Sequence, residues 1–162
     1  MAVLTPIFVA GAAAFALAAA LVSQYGFGLQ PCELCVWQRW PYLAAIVLGL
    51  SAVAVRRSPI ARTGLTALAV IAVLVSGGIG AFHVGVEQGW WQGLAGCGSV
   101  SATDDLATLR AQIMNAPIVR CDEVTFSVLG ISMAGWNVLY ALGVAAVAGC
   151  AMLGKSGARA PS

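Results

Sequence analysis

Cys32 and Cys35 stand two residues apart after Pro31 and just before a long apolar run. If that run is helical, both sulfurs lie at its start on one face, about one turn apart. Unpaired backbone N–H groups and the positive end of the dipole stabilise a thiolate there. A thiol of lowered pKa is a better leaving group in disulfide exchange, so such a pair is readily oxidised and reduced. Glu33, between the sulfurs, opposes this. The plainer alternative is an inert short-loop disulfide. Metal binding is not expected: no histidine follows Cys35 as haem attachment requires, and the other cysteines lack zinc-ligand spacing.

Cys97 and Cys121 enclose a polar loop whose closure would stabilise by roughly 3–4 kcal/mol in the chain-entropy model. Alone, that pair reads as a structural staple. Cys150 lies at the far end of the last apolar run and reads as a small apolar filler among Ala and Gly. Arg39 comes four residues after Cys35, one helical turn deeper on the same face. It either snorkels to the interface or stabilises the Cys35 thiolate together with an electron-rich oxygen of a bound acceptor. His83 is the chain's one histidine. It either packs or donates a hydrogen bond or proton to such an acceptor.

These residues need a scaffold, and composition says which kind. The 162-residue chain is 60% hydrophobic and 9% charged, against roughly 25% charged in an ordinary soluble domain, so lipid is its expected solvent. Eight basic and six acidic residues are too few and too scattered for a nucleic-acid surface. The expected fold is all-α: one membrane domain over residues 1–162, a bundle of four spanning helices. The spans are placed at Thr5–Gln24, Val36–Val55, Leu65–Gly85 and Gly130–Leu153, with outer loops at 25–35 and 86–129. Each is long enough for a hydrocarbon core of about 30 Å. Runs this long without alternation exclude barrel strands. The first run lacks the basic n-region of a secretory signal and is expected to stay attached.

Arg56, Arg57 and Arg62 lie between the second and third runs, and Lys155 and Arg159 follow the fourth, with no acidic residue in either segment. That face is expected to be cytoplasmic, with both termini inside. All six acidic residues, all five tryptophans and Cys32, Cys35, Cys97 and Cys121 then fall on the outer side. In an oxidising compartment these four cysteines are expected to be paired. Within the second outer loop, Ser101–Asp104 resembles a capping box opening a short helix through Met114. Its Leu106, Leu109 and Ile113 face would lie on the membrane surface or pack on the bundle.

The whole pattern resembles the DsbB family of disulfide-forming membrane oxidoreductases. It rests on four spans, Pro31-Cys32-x-x-Cys35 opening the second, Arg39 four residues on, the Cys97/Cys121 pair in the second outer loop, and Leu129-Gly130 entering the fourth span. The resemblance implies an inner-membrane enzyme that passes electrons from a periplasmic DsbA-like thiol oxidase to ubiquinone or menaquinone. It implies disulfides Cys32–Cys35 and Cys97–Cys121. The partner then attacks Cys97, Cys121 exchanges with Cys32, and Cys35 meets the quinone near Arg39, with His83 a looser match to a family histidine. A vitamin K epoxide reductase-like protein carries its cysteine pairs in the reverse order. A non-catalytic membrane scaffold with two structural disulfides is the reading from another class.

Overall fold

The computed structural model describes residues 3–55, 57–94, 106, 107, 110, 114 and 119–157. Cys97, Arg56, Arg159 and most of the expected loop helix lie outside the described residues. Of that helix, Leu106, Ala107, Arg110 and Met114 are described, and all are helical.

The fold is helical: α1 (Leu4–Gly26), α2 (Glu33–Trp37), α3 (Arg39–Ala54), α4 (Pro59–Glu87), a small hairpin of β1 (Ser127–Val128) and β2 (Ile131–Ser132), and α5 (Met133–Gly157). Among the described residues, α1, α4 and α5 are long and apolar enough to cross a membrane. The second expected span, Val36–Val55, is not one continuous helix. It is interrupted at Gln38, leaving α3 with 16 residues, about 24 Å at 1.5 Å per residue. Pro41 explains the interruption, because it has no N–H for the Trp37 carbonyl and its ring crowds that carbonyl. The fourth expected span also starts later, at Met133 rather than Gly130. Leu129 and Gly130 take φ of 53° and 76° and turn the chain between β1 and β2, where Val128 pairs with Ile131. Two positive φ values match the right-handed twist of a tight hairpin.

Local chemistry sets the other ends. Ser58 caps α4, its Oγ accepting from the Ala61 N–H at 3.3 Å, and Pro59 opens the helix. At the far end the Trp90 N–H bonds the Gly85 carbonyl and the Gly89 N–H the Val86 carbonyl, a Schellman closure that requires Gly89 at φ 70°. α3 packs on α1 and α4, and α4 on α5. The core between them is built from small side chains, with Val9, Ala13, Ala45, Ala69, Val73, Ala141 and Ala148 fully buried. Small residues let helix backbones approach closely where lipid offers no hydrophobic drive. A Cβ on Gly77 would stand 2.7 Å from that of Ala141, and one on Gly49 would stand 2.9 Å from that of Ala10.

Candidate active site

Cys32 is the N-cap of α2: its backbone is extended and its Sγ accepts from the Cys35 N–H at 3.3 Å. The cap brings the sulfurs together as the spacing implied, with Cys32 Sγ donating to Cys35 Sγ at 2.7 Å. One proton is thus shared by the pair. The bond from Cys32 holds the Cys35 thiol below the usual range, and Arg39 adds to this electrostatically. The same bond, together with burial, pushes Cys32 up to about 12. Glu33 is exposed, so water screens its charge.

Cys121 comes to this pair from the second outer loop. It is fully buried and shares a cluster with Cys32, Leu34 and Val86, with Cys35, Ile79, Phe82 and Val119 packed around it. It is near enough to Cys35 for their charges to interact. Its neighbours Arg120 and Asp122 pair with each other through two hydrogen bonds, and the guanidinium holds the Asp122 carboxyl below the usual range. Cys121 therefore belongs spatially to the C-x-x-C, which a remote staple would not. Cys150 is exposed on α5 and takes no part.

His83, on α4 and 3% exposed, points its Nε2 at Cys32 Sγ, 3.6 Å away, rather than at Cys35. The ring also contacts the Cys121 backbone and lies 3.8 Å from a Glu87 carboxylate oxygen. Its Nδ1 lies 3.1 Å from Gln38 Nε2. Gln38 continues the network: Oε1 accepts from Asn137 Nδ2 at 2.7 Å, and Nε2 also donates to the Leu34 carbonyl. Asn137 Nδ2 donates to the Ser76 carbonyl at 3.1 Å, and its Oδ1 accepts from the Tyr42 hydroxyl. Ser76 Oγ in turn donates to the Gln38 carbonyl. The helix interruption at Gln38 thus sits inside a buried polar network joining α3, α4 and α5.

Beside the sulfurs lies a cavity of about 340 Å³. Cys32, Cys35, Gln38, Arg39 and His83 form its polar wall, and Phe15, Ala16 and Ala19 of α1 with Met133 and Tyr140 of α5 form much of its apolar one. Arg39 is held by a 2.6 Å bond from Nη1 to Gln24 Oε1 of α1. Its Nε is buried and has no hydrogen-bond partner among the described residues. The expected site residues Cys32, Cys35, Arg39, His83 and Cys121 thus converge, and Cys97 is outside the described residues. Sequence reading missed Gln38, Ser76, Asn137, Tyr42 and Glu87. Their signal was available: polar side chains inside apolar runs are costly and are functional candidates by default.

Comparison with known proteins places this arrangement. The profile of the family described as Disulfide bond formation protein DsbB matches residues 3–151. The chain belongs to the DsbB family. A Disulfide bond formation protein B of Xanthomonas oryzae pv. oryzae (strain MAFF 311018) is 30% identical over 133 residues, covering 80% of this chain and 77% of that protein. One of Saccharophagus degradans is 29% identical over 132 residues and covers 80% of each. Uncharacterized protein RP370 of Rickettsia prowazekii is 32% identical over 127 residues, covering 76% of this chain and 72% of that protein. No solved structure matches. Membership in the DsbB family makes this chain a membrane protein of disulfide bond formation.

Proposed function

We propose that this chain is a protein-dithiol:quinone oxidoreductase. It reoxidises a periplasmic DsbA-like thiol oxidase and passes the electron pair through Cys97–Cys121 and Cys32–Cys35 to ubiquinone or menaquinone. The observation that carries this reading is one largely apolar cavity with Cys35, Arg39 and His83 on its wall. Its volume suits a ring-sized ligand, and the partnerless buried Nε of Arg39 is a donor that a ligand oxygen would satisfy. A quinone bound there supplies a two-electron, two-proton acceptor.

The chain's own residues do the rest by thiolate exchange. The partner's thiolate attacks Cys97, the Cys97–Cys121 bond breaks, and Cys121 leaves as a thiolate. Cys121 then attacks Cys32, the Cys32–Cys35 bond breaks, and the electron pair stays on Cys35. Packing of Cys121 in the Cys32 cluster supports the second step. Arg39 favours Cys35 as the anion left behind. The protein sits in the bacterial inner membrane with four spans, the second running from Val36 at the end of α2 through α3, both termini cytoplasmic and the reacting cysteines periplasmic. Reporter fusions at Ser58 and Gly157 are expected to read cytoplasmic and one at Gln112 periplasmic.

The test is purification in detergent, identification of bound quinone by mass spectrometry, and a turnover assay with reduced thiol oxidase and added quinone. Thiol oxidase oxidation that depends on quinone and on Cys35 is expected. Disulfides that stay oxidised when cellular quinone is depleted would mark a structural scaffold instead.

A further inference from the structure

The Gln38–Asn137 network does more than satisfy buried polar groups, because two of its anchors are backbone carbonyls, which only accept. The Ser76 carbonyl takes a hydrogen bond at 3.1 Å from one Asn137 amide atom, so that atom is Nδ2. The same Nδ2 reaches Gln38 at 2.7 Å, so the atom it meets is Oε1. The other Gln38 amide atom is then Nε2, as its 3.3 Å contact with the Leu34 carbonyl independently requires. This Nε2 also lies 3.1 Å from His83 Nδ1. A donor there makes Nδ1 the acceptor, and in a neutral imidazole the proton must then be on Nε2. Nε2 faces Cys32 Sγ at 3.6 Å, with Glu87 at 3.8 Å on the same side.

We infer that Gln38, anchored by Asn137, is a positioning residue that fixes His83 in the Nε2–H tautomer, so that the ring donates to Cys32 sulfur when the pair is reduced. Gln38, His83 and Asn137 come from three different helices, so the tautomer depends on the bundle being assembled. The Cys32 thiol donates to the Cys35 thiolate, and a donor on the Cys32 sulfur polarises that S–H and strengthens its bond to the anion, a charge that the disulfide lacks. Donation from His83 therefore stabilises the reduced pair and makes the disulfide a stronger oxidant. The same proton decides against an ion: the sulfurs of Cys32 and Cys35 and the His83 ring nitrogen lie within 4.8 Å of one another, but Nε2 offers a hydrogen where a metal needs a lone pair.

The inference deepens the reading of Cys32–Cys35 as an exchanging pair, yet the tautomer is measured without turnover. With one histidine in the chain, ¹⁵N-histidine labelling of the reduced, detergent-solubilised protein gives one pair of ring signals. The protonated nitrogen resonates well upfield of the unprotonated one. Wild type is expected to carry its proton on Nε2. In Gln38→Glu the carboxylate, still receiving Asn137 Nδ2–H, accepts from the ring, and the proton moves to Nδ1. The Cys32–Cys35 reduction equilibrium against glutathione then falls by about twofold to tenfold, as expected for losing a hydrogen bond to a neutral thiol that itself supports the Cys35 anion. Wild type with its proton on Nδ1, or an unchanged tautomer in a folded Gln38→Glu, overturns the assignment. A switched tautomer with an unchanged glutathione equilibrium overturns the link to Cys32. Should Gln38→Glu fail to fold, the wild-type spectrum decides alone. Absence of quinone turnover would count against the proposed function and leave the tautomer result standing.

Discussion

Arg39 of α3 donates from Nη1 to Oε1 of Gln24 on α1 at 2.6 Å, so the guanidinium on the cavity wall is held by a neighbouring helix. If its charge serves the acceptor end, Arg39→Ala should raise the apparent KM for quinone about tenfold or more and leave that for the reduced thiol oxidase nearly unchanged. Arg39→Lys should rescue only in part, since an ammonium lacks the planar fork that can hold Gln24 and a ligand together. Gln24→Ala should show a smaller shift of the same kind. Steady-state kinetics with each substrate varied separately checks this, and a change confined to the thiol oxidase KM would reassign Arg39 to docking.

Helix packing makes a stability prediction that is independent of the chemistry. A Cβ on Gly85 would come within 2.0 Å of the Trp91 indole, which stacks on Phe82 and donates from Nε1 to the Phe82 carbonyl at 2.9 Å. Gly85→Ala must displace that ring, and Gly77→Ala must part α4 from α5. Each should cost about 1–3 kcal/mol, the usual range for overpacking. Gly64 and Gly143 have open space where a Cβ would go, so alanine there should be neutral or mildly stabilising. Thermal unfolding of the four variants in one detergent separates the two classes.

How much of this was legible in the sequence depends on the range of the interaction. The C-x-x-C, Arg39 one turn on, and the apolar runs are local patterns: the structure brings the two sulfurs together, sets Arg39 beside them and makes long apolar helices of three of the four runs. The interruption at Gln38 was also local, since Pro41 is four residues from the carbonyl it orphans, but it was hidden inside a continuous apolar run. The resemblance makes Leu129-Gly130 the entry to a span, and leucine rarely accepts the positive φ that a tight hairpin asks of it. The hairpin places it there with its side chain exposed. The Gln38–Asn137–Ser76 network could not be read, because its partners meet only once three helices have packed. The place of Cys121 beside Cys32 was implied by the resemblance alone, since no local pattern ties the two positions together.

The shared proton predicts how the reduced pair titrates. A thiol with its pKa lowered stays a thiolate above that lowered value and loses the charge only as pH falls through it. Cys35 should therefore keep its alkylation rate at pH values where an ordinary thiol has already slowed. Cys32, pushed up to about 12, should stay nearly unreactive through neutral pH. Arg39→Ala should move the Cys35 profile upward, since one stabilising charge is lost. Iodoacetamide labelling across pH with peptide mass spectrometry reads both sites, and faster labelling of Cys32 than Cys35 at neutral pH would contradict the arrangement.

The four outer cysteines carry different roles in a relay, and burial sharpens the distinction. Cys121 is fully buried against the C-x-x-C, so a bulky protein partner has no direct route to its sulfur. In the proposed relay, attack from outside falls on Cys97. In Cys121→Ala, Cys97 forms a mixed disulfide with the thiol oxidase and has no neighbouring sulfur to resolve it, so a covalent complex should accumulate. Cys121→Ala loses the loop-closing disulfide as well as a packed sulfur, and Cys97→Ala, which loses the same disulfide, is its control for folding. Cys97→Ala should trap far less. Cys35→Ala should halt quinone reduction while still permitting exchange with the partner. Cys150→Ala should behave as wild type, its thiol being exposed on α5 away from the cluster. Non-reducing gels of each variant expressed with its thiol oxidase supply the measurement. A complex that forms equally through Cys97 and Cys121, or one that needs Cys150, would overturn this order of exchange even though the chain remains a DsbB family member.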